Sequence, residues 1–383
     1  MLKYLFEKNI FLVIFFIFLL TYISPFLAHI TIFYTNNYFL TFYYGSNFDG
    51  GTRNIQYLPI LNEIVSERNI FQNSVDMTLS NINFENIRFI PFLIASLPSF
   101  FFKDISIIIF SNYFIGYVLN VFIFFFIINK FINNKNLALY LSVSLFLVSG
   151  FLVANPLTTF LNFFKIDTRI FLDHSHISDE FSFIFQTLSN FILALFFYCF
   201  ILFRESKTIK AYYSIIITFI LLGFSYQTHF IVGFLILVFD FFFNFLKKRK
   251  QSIFFLIIPS IIFIIISIFQ IYLIKQGSWS SADYSEVSNF KNLTQEFLSS
   301  LKNINTKNIF LFCLNSFFLI PLILTTIFRR NKILIENFIP VFITSILISF
   351  FYFNLDFMNA FTVRVLTRGT DVILGIGIFV RLA

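Results

Sequence analysis

Two of the chain's four histidines and three of its carboxylates fall within ten residues, FLDHSHISDE at 171–180. The order Asp173-His174-Ser175-His176 spaces the two imidazoles at i and i+2. On an extended strand both would point to one face and could ligate a metal; on a helix they would diverge. Asp179 and Glu180 add oxygen donors, and a mixed imidazole and carboxylate set suits zinc, manganese or iron better than magnesium. Three readings stay open. The stretch could bind a metal or take part in catalysis, with Asp173 and His176 as candidate ligands. It could contact a substrate or lipid head group, with His174 as the candidate. Or it is a solvated loop in which Ser178 or Asp179 caps a helix beginning near Phe181.

Five further residues have the chemistry of a site. Asp49 precedes Gly50 and Gly51, which permit a tight turn. Read from its neighbours, it starts a turn or caps the following helix. Arg169 stands just before the His cluster, and Arg364 and Arg368 lie in NAFTVRVLTRGTD near the end of the chain. Arginines at a membrane surface can hold a phosphate or pyrophosphate by paired contacts. Arg368, beside Gly369 and Asp371, is the preferred phosphate candidate, against an Arg–Asp pair or an interfacial anchor. His229 follows Gln227 in a short polar interruption, where it is either a substrate contact or part of a polar turn.

The elements that must position these groups are membrane helices. Of 383 residues, 58% are hydrophobic and 12% charged, and the mean hydropathy is +0.85; soluble domains carry about 25% charged residues. Phenylalanine alone supplies 66 positions, so single phenylalanines are read as lipid-facing or core filler. Apolar runs of spanning length stand at 10–33, 105–128, 137–154, 181–203, 212–224, 230–246, 253–274, 309–328 and 333–353. The first lacks a suitable cleavage site and is read as an uncleaved helix. Cys199 and Cys313 lie inside apolar runs, which leaves neither a disulfide framework nor a cysteine metal site. A run at 372–380 is too short to span alone, and the expectation is a fragment or a last helix only partly represented.

One choice fixes the topology. As a single helix, 212–246 would be about 52 Å long, against a hydrocarbon core of about 30 Å. Ser225 to His229 interrupt it, so two helices with a tight turn are expected. The basic clusters then share one side: Lys3 and Lys8; Lys130 and Lys135; Arg204, Lys207 and Lys210; 247–250; and Arg329, Arg330 and Lys332. The positive-inside rule makes that side cytoplasmic, with the N-terminus on it. The net charge of +8 is explained by these clusters and implies no nucleic-acid partner. The other face receives the long polar segments near 34–104, 155–180, 275–308 and 354–371, and there any chemistry is expected. The fold class is therefore an all-α polytopic membrane protein of about nine to ten transmembrane helices, with 1–383 forming a single transmembrane domain.

The first external loop is the longest. After Asp49 it carries a possible amphipathic helix with Ile55, Leu58, Ile60, Leu61, Ile64 and Val65 on the apolar side. The segment 88–102, with Pro91 and Pro98, is apolar but too short to span, as an interfacial or re-entrant piece would be. One helix, then a large external loop with an acidic residue near its start and amphipathic helices, resembles the GT-C superfamily of membrane glycosyltransferases. The resemblance implies a GT-C-like fold in a bacterial inner (plasma) membrane, and transfer of a sugar from a polyprenyl-phosphate donor to an extracytoplasmic glycan or lipid acceptor. It implies that Asp49 acts as general base, or helps a divalent metal bind at the donor phosphate.

Two other functions share parts of this pattern. A polysaccharide polymerase or lipid-linked oligosaccharide ligase usually carries its large loop late, whereas here it comes first. A lipid-handling transporter or flippase would call for polar groups within the spans, of which the sequence shows few: Asn155, Asn190, Gln270 and Asn315. No P-loop, dinucleotide fingerprint, nucleophile elbow or His-Glu-x-x-His helix is present, and no cytoplasmic loop could house a nucleotide-binding domain.

Overall fold

The computed structural model describes residues 89–102, 105–132, 134–151, 184–247, 253–276 and 336–344, with single positions at 347, 373, 376 and 377. The expected spans at 10–33 and 309–328 lie outside the described residues, as do the long polar segments apart from 89–102 and the first residues of 275–308. Within the described residues the elements are helices: α1 Phe89–Ser96, followed by a 3-10 turn Leu97–Phe100; α2 Ile105–Phe131; α3 Lys135–Phe151; α4 Ile184–Ser206; α5 Ile209–Gly223; α6 Gln227–Leu246; and α7 Phe254–Gln276. The 336–344 stretch is also helical.

Three windows among the described residues are long and apolar enough to cross a membrane: Phe114–Phe131, Leu188–Ser206 and Thr228–Leu246. The 23 residues of α4 give about 34 Å at 1.5 Å per residue, and the 15 of α5 about 22 Å. Of the three spanning windows, the one in α4 is 67% buried and the one in α6 is 39% buried. The first is therefore enclosed by neighbours and the second leaves one side open.

The run 212–246 is two helices. α5 ends at Gly223, Phe224 and Ser225 turn, and α6 starts at Gln227. The turn closes by Phe224 N–H donating to Ile220 O at 3.3 Å and Ser225 N–H to Leu222 O at 3.1 Å. The helices then run antiparallel: Phe219 meets Phe230 at 4.6 Å and Phe234 at 6.5 Å between ring centres. Gly233 makes the approach close, since a Cβ there would lie 3.0 Å from Leu222 Cδ1. At the opposite end Thr208 starts α5 in an extended conformation, and its hydroxyl accepts from Ala211 N–H at 3.3 Å.

Lipid is as apolar as the side chains, so burial from water does not drive these helices together. Packing and interhelical hydrogen bonds do, at about 0.6 kcal/mol for an average bond. The core is a chain of interlocked rings. Phe196 meets Phe219 at 6.0 Å, Phe230 meets Phe263 at 5.1 Å, and Phe234 stacks on Phe263 at 4.2 Å. Phe196, Phe197, Phe200, Phe219 and Phe230 are fully buried. α7 instead turns Phe254, Ile257, Ile261, Ile264, Ile265 and Ile268 outward, a lipid-facing stripe at helical spacing.

Candidate functional site

Polar groups collect at the two ends of the bundle. One end holds the α5–α6 turn. Phe224 O accepts from Ile90 N–H of α1 at 3.0 Å. Gly223 O accepts from Gln270 Nε2 of α7 at 2.7 Å. Ser225 Oγ bonds Ser189 Oγ of α4 at 3.0 Å, and Asn112 Nδ2 of α2 donates to Ala95 O of α1 at 2.7 Å. Side chains from α2, α4 and α7 thus converge on α1 and the turn. The local reason is that each helix end leaves carbonyls without intrahelical donors. Gly223 O at the end of α5 and Phe224 O in the turn find theirs on other elements.

His229 lies in this layer. The sequence suggests a tight turn for it; the structure puts it in the first turn of α6, because the helix resumes at Gln227. Its side chain is fully buried, with the ring 4.9 Å from Tyr226 at 77°, edge to face. Asn112 Oδ1, Thr228 Oγ1 and Gln270 Oε1 are buried without a hydrogen-bond partner among the described residues. Together these groups offer acceptor oxygens, a hydroxyl and an imidazole, a set that suits hydroxyl-bearing ligands. Of these groups the imidazole is the one whose chemistry allows proton exchange with a substrate.

Of the candidate site residues singled out by sequence, His229 alone is described. Asp49, Arg169, Asp173, His174, His176, Arg364 and Arg368 lie outside the described residues, as do Asp179 and Glu180. Among the described residues no group of three His, Cys, Asp or Glu side chains gathers as a metal would need.

The other end is charged. Arg204 Nε of α4 lies 3.2 Å from Asp240 Oδ1 of α6, and their side chains are only 9% and 5% exposed. Arg204 Nη1 also donates to Glu336 O and, at 3.2 Å, to Asn337 Oδ1. Two exposed pairs flank it: Lys130–Glu205 at 2.9 Å and Lys247–Glu336 at 3.0 Å. Beside it a small crevice is lined by Phe200, Phe203, Tyr212, Phe255 and Asp240. Sequence reasoning missed the pair. The available signal was that Arg204 and Asp240 interrupt two apolar runs on the same expected side with opposite charge.

No protein-family model matches the chain, and comparisons with curated proteins and with solved structures give no match. The described residues therefore define the class by themselves: helical, with three helices of membrane-crossing length and apolarity.

Proposed function

We propose that the chain is an integral membrane glycosyltransferase of GT-C type. It moves a sugar from a polyprenyl-phosphate donor to a glycan or lipid acceptor on the extracytoplasmic face of a bacterial plasma membrane. The observation that carries this reading is α1. Its eight residues span about 12 Å, too short to cross. It is nevertheless tied into the helix bundle by Ile90 to Phe224 and by Asn112 to Ala95. Beyond it Leu97, Phe100 and Phe101 are 47%, 65% and 83% exposed. A short helix docked on the bundle and continuing into exposed apolar residues is the element an enzyme needs where a lipid-borne donor meets a polar acceptor. His229 lies in the layer to which α1 is attached.

In this reading Asp49 is the base or metal-holding carboxylate, and Asp173, His174 and His176 line the site. Arg169, Arg364 and Arg368 hold the donor phosphate, and His229 forms the site floor. In-line displacement inverts the anomeric centre. The test is consumption of a panel of radiolabelled polyprenyl-phosphate sugars by membranes containing the protein. Wild type is expected to consume one donor, with Asp49→Asn and His229→Phe inactive. The phenylalanine keeps a ring against Tyr226 while removing both nitrogens. Equal consumption by wild type and Asp49→Asn, or no donor consumed across the panel, rejects the proposal.

One observation favours the second reading, a lipid-handling transporter. Asp240 is an ionisable residue buried within a membrane-spanning window, and such residues commonly mark transport pathways. Movement of labelled lipid between leaflets of reconstituted vesicles, lost in Asp240→Asn while no donor is consumed, would support it over the transferase.

A further inference from the structure

The hairpin between α4 and α5 contains an expensive lysine. Lys207 has φ of +50°, the one positive φ at a non-glycine residue among the described residues. The position ends α4: Lys207 N–H donates to Phe203 O at 2.8 Å. Helix ends of this kind normally use glycine, because a Cβ is disfavoured in left-handed backbone. The side chain is exposed, as is that of Lys210, the second residue of α5. Neither forms an ion pair among the described residues, whereas the neighbouring Glu205 is already paired with Lys130.

The surroundings are apolar and outward-facing. Ile209 is 71% and Tyr213 61% exposed, and the start of α7 adds Ile253 at 58% and Phe254 at 66%. Tyr212 OH donates to Phe254 O at 3.3 Å, which brings these two helix starts side by side. Exposed cations at a helix end, next to apolar side chains that run on down α5 and α7, match a lipid with an anionic head and two acyl chains.

We propose that Lys207 and Lys210, with Ile209, Tyr213 and Phe254, form a seat for an anionic phospholipid. This inference is independent of the sugar-transfer reading and needs only that the helices sit in a bilayer. The strained backbone at 207 is retained because the lysine there meets a phosphate.

Glycine at 207 relieves strain instead of breaking the fold, so the critical variant stays folded. Native mass spectrometry of the full chain in detergent, titrated with phosphatidylglycerol or phosphatidylcholine, reads the apparent affinity. Wild type is expected to prefer phosphatidylglycerol. Lys207→Gly and Lys210→Gln are each expected to lose about fivefold of that affinity, the equivalent of about 1 kcal/mol per lysine at an anionic surface. Thermal unfolding gives a second readout with opposite signs: Lys207→Gly unfolds higher than wild type with zwitterionic lipid and lower with anionic lipid. Equal binding of the two lipids by wild type, or Lys207→Gly stabilising in both lipids alike, overturns the proposal.

Discussion

Arg204 and Asp240 carry a large single-residue consequence in the described part of the chain. Both are buried, and each leaves the other as an uncompensated charge if it is removed. Asp240→Ala should therefore destabilise by about 3–5 kcal/mol, read as a lowered unfolding temperature in detergent. The Arg204→Met, Asp240→Leu double variant should recover most of that loss, because a buried pair is replaceable by packed apolar groups at little cost. Failure of the double variant to recover would mean that the further bonds from Arg204 to Glu336 O and Asn337 carry the stability. The flanking pairs are different. Lys130–Glu205 is 32% and 38% exposed, so Glu205→Gln should cost under about 1 kcal/mol, in a measurement that falls further at high salt. This contrast was hidden in the sequence. Asp240 stands inside the apolar run 230–246, and only the helix positions reveal that it faces Arg204.

Helices were the most legible level. The apolar runs at 105–128, 181–203, 230–246 and 253–274 all became helices, with ends displaced by up to three residues. The displacement has a cause: apolarity marks contact with lipid or core, whereas the hydrogen-bond ladder continues into polar residues until a cap or turn ends it. α5 shows this at its start, where Thr208 caps a helix that begins before the apolar run does. The division at 224–226 was legible because a 35-residue run exceeds what the hydrocarbon core accommodates and Ser225 to His229 interrupt it. The docking of α1 was not, because it depends on Phe224 O and Ala95 O meeting donors far away in sequence. Two predictions belong here. Thr208→Ala should cost about 1 kcal/mol and speed amide exchange at 209–212, since the first-turn donor loses its acceptor. Gly223→Ala should cost about 1–3 kcal/mol in thermal unfolding. The added Cβ would lie 2.8 Å from Ile266 Cδ1 and 3.0 Å from its Cγ2, forcing α5 and α7 apart just where Gln270 bonds Gly223 O.

At the scale of the molecule, the described helices place unlike chemistry at opposite ends. Ion pairs join α2 to α4, α4 to α6 and α6 to the 336–344 stretch at one end. Neutral polar side chains tie α1, α2, α4, α5 and α7 at the other, and His229 lies in the same layer. The candidate site was legible in the sequence only as residue types. Asp49, the 171–180 stretch and the arginines at 364 and 368 declare a carboxylate, imidazoles and phosphate-binding cations. Their meeting in space depends on long loops whose course the apolar pattern does not dictate. His229 was found because it breaks an apolar run, and its burial came from the helix resuming two residues before it.

The sugar-transfer and transporter readings both require that the ion-paired end and the end holding the α5–α6 turn face opposite sides of a bilayer. Labelling by a membrane-impermeant thiol reagent in intact cells tests this most directly. Cys199→Ser and Cys313→Ser remove the two native thiols. Lys207→Cys then probes the charged end, and Ser280→Cys probes the polar segment following α7, a helix that reaches the α5–α6 turn through Gln270. Labelling of the probe at 280 but not at 207, with both labelled once the membrane is opened, is the predicted result. Equal labelling of both in intact cells, or the reverse order, would contradict the account.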